Sequence, residues 1–184
     1  MQVRLVEQAR AGDHAAFRAL VDLESHHCYA IAYRVIRDAE RAQDAVQQAF
    51  LSAWRDLPQL RDPDRFRPWL YRLLLRACYV EAGRARGWNS RVQPVDVERP
   101  SGAEDFTTAI ADRDAIDRAF LRLSPEHRAV MVLHHYADLP LAAVADAVGS
   151  PVGTVKSRLH YAANVLRAAL EADSRVPLPG ERPA

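Results

Sequence analysis

Glycine and proline are sparse inside the periodic segments of this chain and gather around residues 57–68 and beyond residue 87. Within those segments apolar residues recur every three or four positions, and no alternating stretch is long enough to make a useful strand. The chain is thereby restricted to helices with two main breaks. A first segment, about 2–10, is amphipathic through Val3, Val6 and Ala9 and stops at Gly12. Asp13 can cap a helix from His14 towards Arg37, and Asp38 another over about 39–56. A proline-broken loop, Leu57 to Phe66, precedes a fourth helix that runs to about Arg86, with Pro68 in its first turn. A helix resumes near residues 112–114. Ser124-Pro125-Glu126 then combines a cap, a first-turn proline and an acid at the positive end of a helix over about 125–136. That helix places Val130, Leu133 and Tyr136 inward, and a short helix, Leu141 to Val148, follows it.

The last helical pair carries the most information. Gly149 closes one helix, where a left-handed turn is cheapest at glycine, and Ser150-Pro151 opens the next. At about 100° per residue, Val155, Leu159, Ala162, Leu166 and Leu170 form one apolar stripe. The opposite face carries Gly153, Ser157, His160, Tyr161 and Asn164, flanked by Thr154, Lys156 and Arg167, and has no acid. Solvated faces normally mix both signs, so this one suits a phosphate-lined groove, and the pair reads as a helix-turn-helix.

Two more faces stand out. On the third helix, Asp44, Gln47, Gln48, Leu51 and Arg55 share a narrow arc opposite the core positions Ala42, Val46, Ala49, Phe50 and Ala53. A leucine among amides and charges suggests a protein contact with an apolar centre, against the alternative of a solvated face with one stray leucine. On the fourth helix, Arg72, Arg76, Tyr79 and Arg86 line up opposite Leu70, Leu73, Leu74, Ala77 and Cys78. Trp69 lies at the margin and belongs either to this stripe or to the core, and Arg61, Arg65 and Arg67 extend the patch into the loop. Arginine neutralises phosphate and aromatic faces stack on bases, so this stripe suits single-stranded nucleic acid.

The net charge of +1 conceals an asymmetry. Residues 1–91 carry 15 Arg against 11 acids, residues 92–117 carry 2 against 7, and residues 118–170 carry 6 basic groups against 3 acids. Two basic blocks therefore flank an acidic, proline-bearing connector that reads as a flexible linker. The tail after Glu171, with Pro177, Pro179 and Pro183, reads as disordered. The two cysteines, Cys28 and Cys78, sit in apolar helical contexts and read as buried thiols in a reducing cytosol. No apolar run approaches the ~18 residues of a membrane span and no signal peptide opens the chain, so a cytoplasmic protein with no membrane partner is expected. The resulting architecture is all-α, in four parts: a helical domain over 1–88, a flexible acidic linker over 89–112, a helix-turn-helix domain over 113–172, and a disordered tail over 173–184.

Three segments together carry a resemblance. They are Gly12-Asp13-His14-Ala15-Ala16-Phe17; Asp44 through Trp54 with Phe66-Arg67-Pro68-Trp69-Leu70; and Leu123-Ser124-Pro125-Glu126-His127-Arg128 continuing through Gly153 to His160. In this order and spacing the chain resembles the extracytoplasmic-function (group IV) sigma factors of bacterial RNA polymerase. The resemblance implies an alternative sigma factor that directs core RNA polymerase to specific promoters. It implies that Asp44, Gln47, Gln48, Leu51 and Arg55 contact the core polymerase. It assigns Leu60, Arg61, Arg65, Phe66, Trp69, Arg72, Arg76 and Tyr79 to the promoter's −10 element as melted single strand. It assigns Thr154, Lys156, Ser157, Arg158, His160 and Tyr161 to the −35 element as duplex, with Arg158 taking a phosphate or packing. An anti-sigma protein is a further expected partner, since many relatives are held by one. The chain departs from the family's usual Asn at Arg76, Asp at Val80 and Arg at Tyr161, so promoter sequence does not transfer.

Two other readings compete on the residues alone. A dimeric helix-turn-helix regulator would explain residues 118–170 but leave the Asp44 face and the Arg72 stripe unused. A small metalloenzyme would need His26, His27 and Cys28, yet consecutive helical residues point in different directions and no second ligand pair has metal spacing. No nucleophile–base pairing or phosphate loop supports other catalysis, and neither a metal nor a cofactor is expected.

Overall fold

The starts of the helices follow from capping chemistry. Asp13 accepts from the backbone N–H groups of Ala15 and Ala16 at 2.8 and 3.1 Å, satisfying donors that the first turn leaves unpaired. Asp38 does the same for Arg41 at 3.1 Å, and the Ser124 hydroxyl accepts from His127 N–H at 3.4 Å. The computed structural model describes residues 1–89 and 116–173, and the expected linker and tail fall almost wholly outside them. The helices are α1 (Gln2–Arg10), α2 (His14–Ile36), α3 (Ala39–Asp56), α4 (Phe66–Asn89), α5 (116–121), α6 (Pro125–His135), α7 (Leu141–Val148) and α8 (Val152–Asp173). Two 3₁₀ turns, Leu57–Gln59 and Pro63–Arg65, build the loop between α3 and α4. There is no strand among the described residues.

The first half packs α2, α3 and α4 together, with α1 across α2. Leu20, Cys28, Ile31, Ala32 and Val35 of α2 meet Ala42, Ala45, Ala49 and Ala53 of α3, all essentially without solvent exposure. The alanine row lets α3 approach closely, and Val46, expected in the core, instead lies half-buried at its edge. Glu24 sits on the apolar stripe of α2, one turn from both Leu20 and Cys28, and is fully buried. Its Oε1 accepts from Arg67 Nε and from Gln2 Nε2, each at 2.8 Å, so one carboxylate ties α1, α2 and α4 together. Arg67 is itself half exposed, so water screens its side of the pair, while Glu24 would be left as a buried charge if Arg67 were removed.

The second half folds α6, α7 and α8 around Ala129, Val130, Leu133, Val144, Val155 and Ala162. Gly149 has φ 66°, the left-handed value that the turn between α7 and α8 demands. The apolar stripe of α8 weakens at its end, where Ala169 is buried and Leu170 is exposed.

The two halves pack against each other, α2 on α6 and α4 on α7, and their buried residues form one contiguous cluster. Tyr136, expected inside its own half, reaches across instead. Its ring stacks on His27 with centroids 5.2 Å apart and planes at 13°, and the Arg34 guanidinium lies 4.0 Å above it. Arg37 pairs with Asp117 at 3.0 Å and Arg65 with Asp146 at 3.7 Å. Arg128 is buried nearby, and burial, with Arg37 adding repulsion, holds its guanidinium below the usual range.

Candidate nucleic-acid and protein interfaces

α3 presents Asp44, Gln47, Gln48, Leu51 and Arg55 together on its exposed side, as its period requires. Leu51 is 58% exposed, an apolar centre among polar neighbours. Arg55 is drawn onto Asp56, with Nε–Oδ1 at 2.9 Å, and their hydrogen bond raises the guanidinium and lowers the carboxyl from their ordinary values. Beside this face an apolar groove of about 660 Å³ opens between α2 and α3, lined by Phe17, Val21, Tyr29, Val46, Phe50 and Trp54 among others. Trp54 is braced there between His14 and Phe17, at 4.7 and 4.8 Å.

The loop and α4 bring part of the expected set to one cleft of about 700 Å³, which Phe66, Arg76 and Tyr79 do not line. Leu60, Arg61, Arg65, Trp69 and Arg72 line it from the first half, and Ala143 and Asp146 of α7 line it from the second. Leu60 and Phe66 are buried, 7% and 1% exposed, so in this conformation they anchor the loop from below. Arg61 and Arg65 are exposed on it. Asp62 holds the second 3₁₀ turn by accepting from Asp64 N–H at 3.0 Å. Arg67 leaves the basic patch that spacing suggested and pairs with Glu24. The Arg72 Nε is buried with no hydrogen-bond acceptor among the described residues. Arg76 is exposed and Tyr79 half-buried, its phenol pushed up to about 12 by burial, with the Glu126 carboxylate adding to the shift. Arg86 lies where no side chain is described.

In the turn before α8, Ser150 N–H donates to Ala145 O at 3.1 Å, and the Ser150 hydroxyl accepts from Arg158 at 3.3 Å. Arg158 is therefore packed against the turn. Lys156, Ser157, His160 and Tyr161 are exposed and Thr154 is half-buried. Ser157 Oγ donates to Thr154 O at 2.9 Å. α8 carries no acid from Val152 to Leu170, and its acids, Glu171 and Asp173, come only in the last turn.

His26, His27 and Cys28 diverge. His26 lines the groove, His27 stacks on Tyr136, and Cys28 is buried with its thiol pushed far up by desolvation. Sequence reasoning missed Glu24, Tyr71, Leu75 and the His27–Arg34–Tyr136 contact. Only Glu24 had a local signal, an acid in register with Leu20 and Cys28 on an apolar stripe.

Comparison with known proteins matches these two halves separately. Residues 20–87 match the sigma-70 region 2 family and residues 119–168 the sigma-70 region 4 family. The chain is 34% identical over 169 residues to the ECF RNA polymerase sigma factor SigL of Mycobacterium tuberculosis, covering 90% of this chain and 95% of that one. The structure of CnrH in complex with the cytosolic domain of CnrY superposes with a TM-score of 0.67 at 26% identity, covering 94% of this chain and 98% of that one. The sigma factor RpoE of Bartonella quintana, solved with the anti-sigma factor NepR, shares the fold with a TM-score of 0.68 at 22% identity, over 85% of this chain and 98% of that one. Two helical halves, each matching its own sigma region, and a relative matched along nearly its whole length lead to one conclusion: the chain belongs to the extracytoplasmic-function sigma factors of bacterial RNA polymerase.

Proposed function

We propose that the first half, through the exposed α3 face of Asp44, Gln47, Gln48, Leu51 and Arg55, docks on core RNA polymerase. Its Arg61, Arg65, Trp69, Arg72, Arg76 and Tyr79 capture the −10 element once melted, while Leu60 and Phe66 support the loop that carries them. The second half lays α8 in the major groove of the −35 duplex, with Lys156, Ser157, His160 and Tyr161 towards the bases and Thr154 at their flank. The observation that carries this reading is the division of chemistry between the halves. One offers guanidinium groups beside an indole, which suits unstacked bases and phosphates. The other offers a helix with no acid before its last turn, following a tight turn, which suits a groove.

The work of the chain is binding, carried out in the cytoplasm, with an anti-sigma protein as a third partner. The 31% identical RNA polymerase sigma-H factor of Pseudomonas aeruginosa supports core polymerase as the main partner. Loosening of the contact between the loop and α7 accompanies −10 capture, because Arg65 is paired with Asp146 at 3.7 Å and both line the cleft. Run-off transcription with purified core polymerase on promoters bound in the cell tests the reading. Promoter-specific initiation that depends on the added chain is expected. Duplex binding without any association with core polymerase would instead favour a stand-alone regulator.

A further inference from the structure

Tyr161 is the largest exposed side chain near the start of α8, at 55% exposure, yet its ring is braced. The His127 imidazole, from the first turn of α6, lies 4.6 Å away between centroids at an angle of 44°. His127 is held in turn, with Ser124 Oγ 2.8 Å from its Nδ1 while the same hydroxyl caps its backbone N–H. The cap of α6 thus positions an imidazole, and the imidazole braces a phenol on α8. The neighbouring polar groups are occupied along α8. Arg167 donates to Asn164 Oδ1 at 3.1 Å, and the Asn164 amide lies 3.1 Å from His160 Nε2. Tyr161 is left with its ring resting against His127 and the rest of the side chain open to solvent.

Base edges in the major groove differ in what they offer such a ring. Guanine presents two acceptors that match an arginine fork, whereas thymine alone presents an apolar group, its 5-methyl. A ring that already rests against an imidazole loses less rotamer freedom than a free one when it packs on that methyl. Resting on the reading of α8 as the −35 helix, the geometry points to Tyr161 as a specificity-determining residue that reads a thymine 5-methyl group. His127 is its positioning residue. An arginine at this place would instead present a fork that fits the two acceptors of guanine.

The test uses the full chain with core polymerase and a promoter library randomised across the −35 element. Each enriched thymine is then replaced singly by deoxyuridine, which removes only the methyl group. One such replacement is expected to weaken wild-type binding about fourfold, the equivalent of ~0.8 kcal/mol for one buried methyl-sized group. Tyr161→Phe keeps that sensitivity, Tyr161→Ala loses it, and Tyr161→Arg shifts the same position to guanine. His127→Ala reduces the methyl sensitivity, and His127→Phe, which restores a flat ring behind Tyr161, recovers it. A wild type indifferent to deoxyuridine at every thymine, or a Tyr161→Phe variant that loses the sensitivity, overturns the assignment. Full sensitivity in His127→Ala overturns the role of His127. A library that yields no enriched sequence at all overturns the −35 reading itself, and the inference falls with it.

Discussion

Replacing Tyr136 by alanine should loosen the two halves from each other without unfolding either. The ring is 36% exposed, so its own half loses little packing, but across the interface it loses both partners at once. A guanidinium 4.0 Å above a partly exposed ring contributes about 1 kcal/mol. A near-parallel stack at 5.2 Å contributes about another 1 kcal/mol. The flanking Arg37–Asp117 and Arg65–Asp146 pairs have exposed partners and contribute little more. Losing about 2 kcal/mol changes the ratio of packed to separated halves roughly 30-fold. Energy transfer between dyes on Arg18→Cys and Ala168→Cys, both at exposed positions, reads that ratio. The native thiols stay silent, because Cys28 and Cys78 are buried and burial pushes their pKa values up, that of Cys78 to about 12. Lower transfer in Tyr136→Ala, with Tyr136→Phe close to wild type, is expected. Identical transfer in the alanine variant and the wild type would refute the idea that this contact holds the halves together.

Three further outcomes follow from the same geometry. Leu51→Arg places a charge at the apolar centre of the α3 face and should lower core-polymerase affinity at least tenfold in a binding titration, with the thermal midpoint unchanged because Leu51 is exposed. Lys156→Ala should weaken promoter binding and reduce the slope of log affinity against log salt by about one, measured by fluorescence anisotropy of holoenzyme on duplex DNA. Burial holds the His27 imidazole below its ordinary 6.5, although Glu24 opposes the shift and Arg67, Arg34 and His26 reinforce it. The packed state therefore prefers neutral His27. The stability it contributes is complete above about pH 6.5 and is lost as pH falls through the lowered value. Chemical denaturation between pH 8 and 5 should show this loss, and His27→Gln should flatten it.

Much of the fold could be read from local chemistry. The caps at Asp13, Asp38 and Ser124 and the turn at Gly149 stand where residue type alone put them, because each acts within a few residues of its own position. The exposed α3 arc and the acid-free side of α8 were equally legible, since a helical period assigns faces without knowledge of neighbours. What stayed hidden depends on pairs far apart in the chain. Nothing near Tyr136 announces His27, and nothing near Tyr161 announces His127. Helical spacing puts Leu75 beside Arg72 and Arg76, yet it is 1% exposed. Arg67 counted as one more base of the patch until Glu24, on another helix, claimed it. Periodicity describes one helix at a time, and these contacts belong to two.

The position of α7 beside Arg65, Trp69 and Arg72 makes it a competitor for whatever else binds that cleft. Two ligands for one surface are coupled reciprocally, whether or not one of them is tethered. The factor by which α7 weakens strand capture must equal the factor by which a captured strand weakens the docking of α7. On the proposed reading, strand capture and the separation of the halves are therefore coupled, and each favours the other. A partner that grips either half shifts both, and an inhibitor need not touch a DNA-binding residue to abolish strand capture, only to favour the packed form.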